Sequence, residues 1–347
     1  LIERRSEVTT RNRNVKGSGG LRAAALGLVL ACAPALCSAQ KITVGTPGIP
    51  PIFGAVIMLV ADKEGFFKKR GAEVTVRGFE TGSFATRAVV AGEIELALGP
   101  TPLVVSQVSN TGLPLVGIWG MEHPDWLLGS TDPNASCAAI KGQAVGVDAV
   151  GGARSIALKT MLIGGCKMKI EDVQQVALGS QTAAAMIAGQ LKYGALHLDD
   201  VPTIEAQSGK MIRVITTQKQ SRPNDHYLIL VTRKDKLAKD RDMFVRTIAA
   251  LIDTERFMRD PANADRVAQD AAPTGRSPEF AKRSLKAYLD LEFWPHEKDG
   301  LGRAEIEAVG KGQKAVGNIK SEKTPVAYDQ LVDTSLWRDA YKLAGGH

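Results

Sequence analysis

A glycine-bordered turn, GVDAVGGARS at residues 146–155, combines a permissive backbone, a helix start and the cation Arg154. Those are the ingredients of an anion cradle, because the first N–H groups of a helix lack intrahelical partners and carry partial positive charge. Nucleotide chemistry asks for more. A phosphate-gripping loop needs Lys and then Ser or Thr after its second glycine, whereas Gly152 and Ala153 follow Gly151 here. The dinucleotide spacing G-x-G-x-x-G is also missing.

What remains is a cradle for a small solute, formed by Gly151, Gly152, Ala153 and Arg154, and the sequence repeats the device. GTPGIPPIFG holds Pro47, Gly48 and Phe53; GFETGS holds Gly82 and Ser83; GPTP holds Pro100 and Thr101; LGS ends on Ser180. Ser83 and Ser180 are expected to cap helices. Thr101 either offers its hydroxyl to a ligand or caps another helix. Arg154 either forks onto a carboxylate or sulfonate or is a solvated charge on the first helical turn. Trp119, Trp126 and Phe53 either line an aromatic wall or pack in a core.

His197 and Asp199, in HLDDVP, could meet an amine, a ring nitrogen or a metal. The five histidines are scattered, with no second ligand pair at helical or hairpin spacing, so no metal and no other cofactor is expected. G-x-S-x-G and H-E-x-x-H do not occur, and no catalytic constellation emerges. The protein is read as a binder and not as an enzyme.

The elements that must position these residues come in two copies. Gly82 and Gly179, Ser83 and Ser180, Ala91 and Ala188, Gly92 and Gly189, and Gly112 and Gly209 are each separated by 97 positions. Each copy reads as a short helix between strands, ended by a left-handed glycine. The first copy is flanked by the strand KITVGTP, the helix IFGAVIMLVADKEGFF and the strand AEVTVRGF. The second has QAVGVDA, RSIALKTMLI and VQQVAL in the same order. Strands alternating with helices in this way predict parallel α/β layers, and two such units predict two similar lobes.

ELALG, LPLVGIW, GALHL and MIRVIT add strands, while DWLLGSTD and HYLILVTRKD fit as the segments that cross between lobes. Helices follow, among them DMFVRTIAALIDTERFM, PEFAKRSLKAYLDLEF and a tail ending at YDQLVDTSLWRDAYKL. Lobe 1 is then expected at residues 40–125 and 226–347, and lobe 2 at 126–225.

Residues 1–39 differ from the rest: a basic front leads into the apolar run AAALGLVLACAPALC and the small residues Ser38 and Ala39. This predicts an export signal cleaved after Ala39, with lipidation at Cys32 as the weaker alternative because Leu30 sits where a small residue is usual. Removing six basic and two acidic side chains lowers the net charge from +7 to +3. No clustered basic footprint for nucleic acid is left. Export would place Cys137 and Cys166 in an oxidising compartment, where a disulfide is expected, two separate buried thiols being the alternative.

KITVGTPG, IMLVADKEGFFKKRGAEVTVRGFETGS, AGEIELALGPTP, KGQAVGVDAVGGARSIALKTML and AGQLKYGA together resemble the solute-binding proteins of bacterial ABC importers of the nitrate, sulfonate, taurine and pyrimidine-precursor type. The resemblance covers nearly the whole chain beyond residue 39. It implies a two-lobed type II periplasmic-binding-protein fold, α/β with two hinge crossovers and a helical C-terminal part. It also implies a periplasmic monomer that takes a small anion in the inter-lobe cleft and passes it to a permease and its ATPase. HLDDVP departs from the family pattern of an aromatic and an acidic residue just before that proline, which opens the ligand preference to a pyrimidine or an amine-bearing ring. An enzyme on the same scaffold, of the thiamine or menaquinone precursor type, is the remaining alternative.

Overall fold

The computed structural model describes residues 41–179, 181–315 and 317–346. Residues 1–39, expected to be an export signal, with Cys32 among them, and Ser180 lie outside the described residues. Strand β1 (Lys41–Pro47) leads through a 3-10 turn to α1 (Val56–Lys63) and α2 (Phe66–Lys69), then β2 (Glu73–Phe79), α3 (Gly82–Ala91), β3 (Leu96–Pro100), α4 (Thr101–Thr111) and β4 (Leu115–Met121). The expected single helix after β1 is thus two, because Gly65 adopts a left-handed φ of 72° between them.

The chain then crosses to β5 (Trp126–Ser130), β6 (Ala144–Val147), α5 (Ala153–Met161), β7 (Gln174–Ala177), α6 (Thr182–Ile187), β8 (Tyr193–His197), α7 (Asp200–Ser208), β9 (Arg213–Thr217) and α8 (Gln218–Ser221). It returns as β10 (Leu228–Arg233). The C-terminal part is helical: α9 (Lys234–Arg259), α10 (Ala264–Asp270), α11 (Pro278–Asp290), α12 (Arg303–Ala315), α13 (Tyr328–Leu331) and α14 (Thr334–Leu343). No helix among the described residues is long and apolar enough to cross a membrane.

Two five-stranded sheets result, ordered β2-β1-β3-β10-β4 and β7-β6-β8-β5-β9. Their patterns superimpose element for element. In each, the first three strands are parallel and the fourth runs antiparallel. That fourth strand is a crossing segment in both cases: β10 joins the first sheet after the excursion, and β5 opens the second.

Period-two burial explains how the sheets are covered on both faces. In β10, Leu228 and Leu230 join the core under α1, α9 and α11, while Ile229 and Val231 join the core under α3, α4 and α12. In β5, Trp126 and Leu128 pack on the α5 side and Leu127 on the α6–α7 side. Strands buried on both faces need near-continuous apolar runs, which LILV in β10 and WLL in β5 supply even though both run antiparallel to their neighbours.

The 97-residue echo has a conformational basis at its glycines. Gly92 and Gly189 have φ of 77° and 71°, and Gly112 and Gly209 have 69° and 68°. Each lets a helix end turn into the next strand where a side chain would be strained.

Cys137 and Cys166 form a disulfide with Cα atoms 5.2 Å apart. It ties the segment after β5 to the turn that follows α5, and closes a loop of 29 residues' separation. On the loop-entropy argument a Cys137→Ser/Cys166→Ser double variant should lose about 3.5 kcal/mol of unfolding free energy. Denaturant unfolding with and without reductant checks this: reductant should weaken the natural protein to the level of the variant and leave the variant unchanged.

Candidate functional site

The site begins with a register. Trp126 pairs with His197 across β5 and β8, so their rings lie against each other, tilted by 32° with centroids 3.7 Å apart. Asp125, one residue earlier, takes the N–H of Leu198 on its carbonyl, which sets its carboxylate beside His197 Nδ1 at 2.8 Å. The chain then turns into α7, and the His197 N–H donates to Asp200 Oδ2 at 3.0 Å. Arg154, in the first turn of α5, donates from Nη1 to Asp200 Oδ2 at 3.1 Å and to the Ala195 carbonyl at 2.7 Å, and its guanidinium lies over the Trp126 ring.

Two further groups arrive from α11, whose Ala281, Leu285 and Tyr288 belong to the core of the first sheet. Arg276, just before that helix, pairs with Asp199 and stands 3.8 Å from Asp200 Oδ1. The Tyr288 hydroxyl touches Asp125 and lies 2.9 Å from Asp199 Oδ1. The same Tyr288 ring rests on Phe53, centroids 5.2 Å apart, and Phe53 follows β1. The loops at the carboxyl ends of β1 and β8, one from each sheet, therefore meet on a single side chain.

Burial pushes every carboxyl here towards its neutral form, and the partners decide which of them resist. At Asp125, burial is outweighed by His197 and the Tyr288 hydrogen bond, and the carboxyl is held below the usual carboxylate range. At Asp200, Arg154, then His197 and Arg276, overcome burial with the same result. At Asp199 burial prevails over Arg276, helped by the neighbouring Asp200 and Asp125, and the carboxyl is raised. Burial and Asp125 push the phenols of Tyr227 and Tyr288 well above their ordinary value.

The other expected site residues divide. Pro47 ends β1 and Gly48 turns the chain with φ of 93°, where a Cβ would sit 2.6 Å from the Pro50 carbonyl. Gly82 and Ser83 do open α3, but the cap is Thr81, whose hydroxyl accepts from the Phe84 N–H at 3.3 Å. Ser83 is the second helical residue, a correction to its expected role. Pro100 stands at the cap of α4. The Thr101 hydroxyl is buried against His226 Nδ1 at 2.8 Å. His226 Nε2 donates to the Gly300 carbonyl and burial lowers this imidazole's pKa, so it is the Thr101 proton that serves Nδ1. Trp119 is a core side chain of the first sheet, 1% exposed, and forms no wall.

The glycine loop also has an internal occupant. Gly152 is the cap position of α5 and Ala153 its first residue, yet Asp148 Oδ1 already accepts from the N–H groups of Ala149 at 2.8 Å and Arg154 at 3.1 Å. A Cβ on Gly152 would lie 2.6 Å from that carboxylate, so glycine is what admits it. Gly151, with φ of 79°, gives its N–H to Ser155 Oγ. The anion held by this helix start is the protein's own Asp148.

Sequence spacing offered no metal pair, but the fold brings ligand atoms of Asp125, His197 and Asp199 within 4.8 Å of one another. Arg276, Tyr288 and the Asp125–His197 pair already engage those atoms. A cavity of about 300 Å³ opens beside this group between α7 and the start of α11, touching Asp200, Thr203, Arg276 and Phe280. Asp125, Arg276, Tyr288 and Asp148 were invisible as site residues in the sequence. Tyr288 occupies an ordinary core position of an amphipathic helix, and only HPDW, just before a crossing strand, offered a hint for Asp125.

The sequence profile of the NMT1/THI5-like family matches residues 53–264. The chain belongs to that family. This NMT1/THI5-like chain is similar in structure to the periplasmic nitrate-binding protein NrtA from Synechocystis PCC 6803, with a TM-score of 0.70, 12% identity, and coverage of 88% of this chain and 89% of that one. It is similar to a Bordetella bronchiseptica RB50 protein, with a TM-score of 0.69, 19% identity, and coverage of 88% and 98%. It is also similar to the aliphatic sulphonate binding protein SsuA from Escherichia coli, with a TM-score of 0.65, 17% identity, and coverage of 85% and 92%. No curated relative matches the sequence. At these identities the likeness establishes the fold, the two-lobed periplasmic-binding-protein architecture.

In this NMT1/THI5-like chain, Arg154→Ala would leave Asp200 buried without its nearest cation, which should cost about 3 kcal/mol at neutral pH. Asp200 has a depressed folded value, so its ion pair contributes above the unfolded carboxylate value of about 3.9 and is lost as pH falls below it. The gap between the natural protein and Arg154→Ala should accordingly narrow in acid, which urea unfolding at stepped pH measures.

Proposed function

We propose that the protein is the extracytoplasmic solute-binding receptor of an ABC-type importer, a non-enzymatic monomer that closes its two lobes on a small anion of the sulfonate, carboxylate or nitrate type. Lobe 1 is assigned to residues 40–125 and 226–347 and lobe 2 to residues 126–225. Its partners are a permease and the associated ATPase. The observation that carries this reading is the matched strand order of the two sheets, with the loop after β1 and the end of β8 meeting at Tyr288. Ligands of open α/β sheets bind outside the carboxyl ends of the strands, and two facing sets of such ends make a cleft.

Charge inside the cleft favours the α3 end for the anionic pole. Asp148 already fills the α5 start, whereas Gly82 and Ser83 open a ten-residue helix whose first N–H groups lack intrahelical partners. An apolar body for the solute is supported by exposed hydrophobic side chains on these loops. Ile49, after β1, is 66% exposed, Val150, at the equivalent place after β6, is 71% exposed, and Phe84 on α3 is 45% exposed. Exposed apolar side chains at equivalent loop positions are what an organic ligand would cover.

A second reading has its own observation. Asp125, Asp148, Asp199 and Asp200 lie at the hinge, in the loops and at the α7 start beside the second sheet, and a ring carrying N–H donors, such as a pyrimidine, would have to take the place of the internal partners that now engage them.

A thermal-shift panel of nitrate, alkane sulfonates, aliphatic and aromatic carboxylates, and pyrimidines separates the two. A solute at about 100 times its Kd should raise Tm by about 5 °C. Stabilisation by an organic anion, abolished by Ser83→Pro but kept in Arg154→Lys, supports the α3 assignment. Stabilisation by pyrimidines alone supports the second reading. Turnover of any of these solutes, or no response across the panel, overturns the receptor.

A further inference from the structure

The Tyr288 hydroxyl has one proton and two carboxylates beside it. Its contact with Asp125 is the shorter, and Asp125 Oδ2 also faces His197 Nδ1 at 2.8 Å. With the phenol proton committed to Asp125, the oxygen lone pair of Tyr288 points at Asp199 Oδ1, 2.9 Å away. Two facing lone pairs at that distance repel, and in a buried site nothing screens them. A proton on Asp199 Oδ1 turns the contact into a hydrogen bond donated to Tyr288 Oη. The remaining oxygen, Oδ2, is then the carbonyl that faces Arg276.

Charge balance admits the same assignment, and the Tyr288 contact decides for it. Asp125, Asp199 and Asp200 are 3%, 1% and 7% exposed, and the guanidinium groups that face them are Arg154 and Arg276. With Asp199 neutral and His197 neutral, two carboxylates balance two guanidinium groups. With Asp199 ionised, balance requires an imidazolium at His197, and the clash with Tyr288 remains.

We propose that Asp199 is a neutral carboxylic acid in the folded protein and acts as the positioning residue that joins α11 of the first lobe to the second lobe, donating its proton to Tyr288. The groups facing it are Tyr288 of α11, Arg276 before that helix, Asp200 of α7, His197 of β8 and Asp125 of the hinge, with Arg154 of α5 and Tyr227 next beyond. Burial and the two neighbouring carboxylates raise Asp199 in spite of Arg276, in the same direction. If the lobes open as the receptor reading requires, Asp199 leaves Tyr288 and becomes hydrated, so closure takes up one proton and is favoured by acid. This last step alone rests on that reading.

The test uses the protein without solute, so its outcome is independent of the receptor panel. Infrared difference spectra at neutral pH between the natural protein and Asp199→Asn should show one carboxylic-acid C=O band, and Tyr288→Phe should lose it as well. Since the folded value lies above the unfolded one, the unfolding constant of the natural protein should carry an extra rise of up to tenfold per pH unit between about pH 4 and the folded value. Asp199→Asn should remove that extra slope and keep near-natural stability, because an amide donates to Tyr288 and accepts from Arg276 as the acid does. Asp199→Leu, which can do neither, should be markedly less stable. If Tyr288→Phe does not fold, the Asp199 variants and the band still decide. An absent band, an imidazolium at His197 in nitrogen NMR, or an Asn variant as weak as the Leu variant would overturn the proposal.

Discussion

Charge removed from water has to be matched, and at the junction of the two lobes that requirement governs the rest of the structure. An unpaired buried carboxylate costs several kcal/mol, more than a typical surface contact can offset. Asp125, Asp199 and Asp200 are all buried there, and their partners arrive from α5, β8 and the α11 region. Holding these elements together is therefore a condition for burying any one of the carboxylates. A long C-terminal helical segment that packs on the first sheet yet reaches the second has its physical reason in that requirement.

The duplicated sheets provide the frame on which such matching is possible. Each has a parallel trio with a crossing strand inserted antiparallel beside it. The two crossings come together where β4 ends at Met121 and β10 begins at Leu228. Tyr227 takes the carbonyl of Met121 through its N–H and gives its own carbonyl to Thr101. Gly120 meets Gly300 so closely that a Cβ there would lie 2.3 Å from the Gly300 carbonyl.

The glycine loop at residues 146–155 shows how a motif's physics can hold while its expected use does not. Backbone N–H groups at the α5 start do attract a negative group, and glycine does permit the close approach. The group that arrives is Asp148, six residues before Arg154, because a tethered carboxylate loses less freedom on binding than a free anion does. Arg154 is freed from the loop's anion and turns instead to Asp200 and the face of Trp126.

The sequence by itself determined the architecture. Apolar strand runs such as KITVGTP and LILVTR, helix periodicity after residue 234, and glycines repeated 97 positions apart are local or near-local signals, and they fix strands, helices and the duplication. Its misses at this level were local too: Gly65 splitting a helix, and Thr81 taking the cap in place of Ser83. Of the two readings open for Cys137 and Cys166, a disulfide or two separate thiols, the structure has the disulfide. Only the tertiary structure decided which residues share the junction. Tyr288 lies 163 positions from Asp125 and 89 from Asp199, and a tyrosine on the buried face of a helix looks the same in sequence whether its hydroxyl meets water or two carboxylates. Periodicity records which face of an element is buried; the partners on the far side of that burial are set by packing between elements distant in the chain.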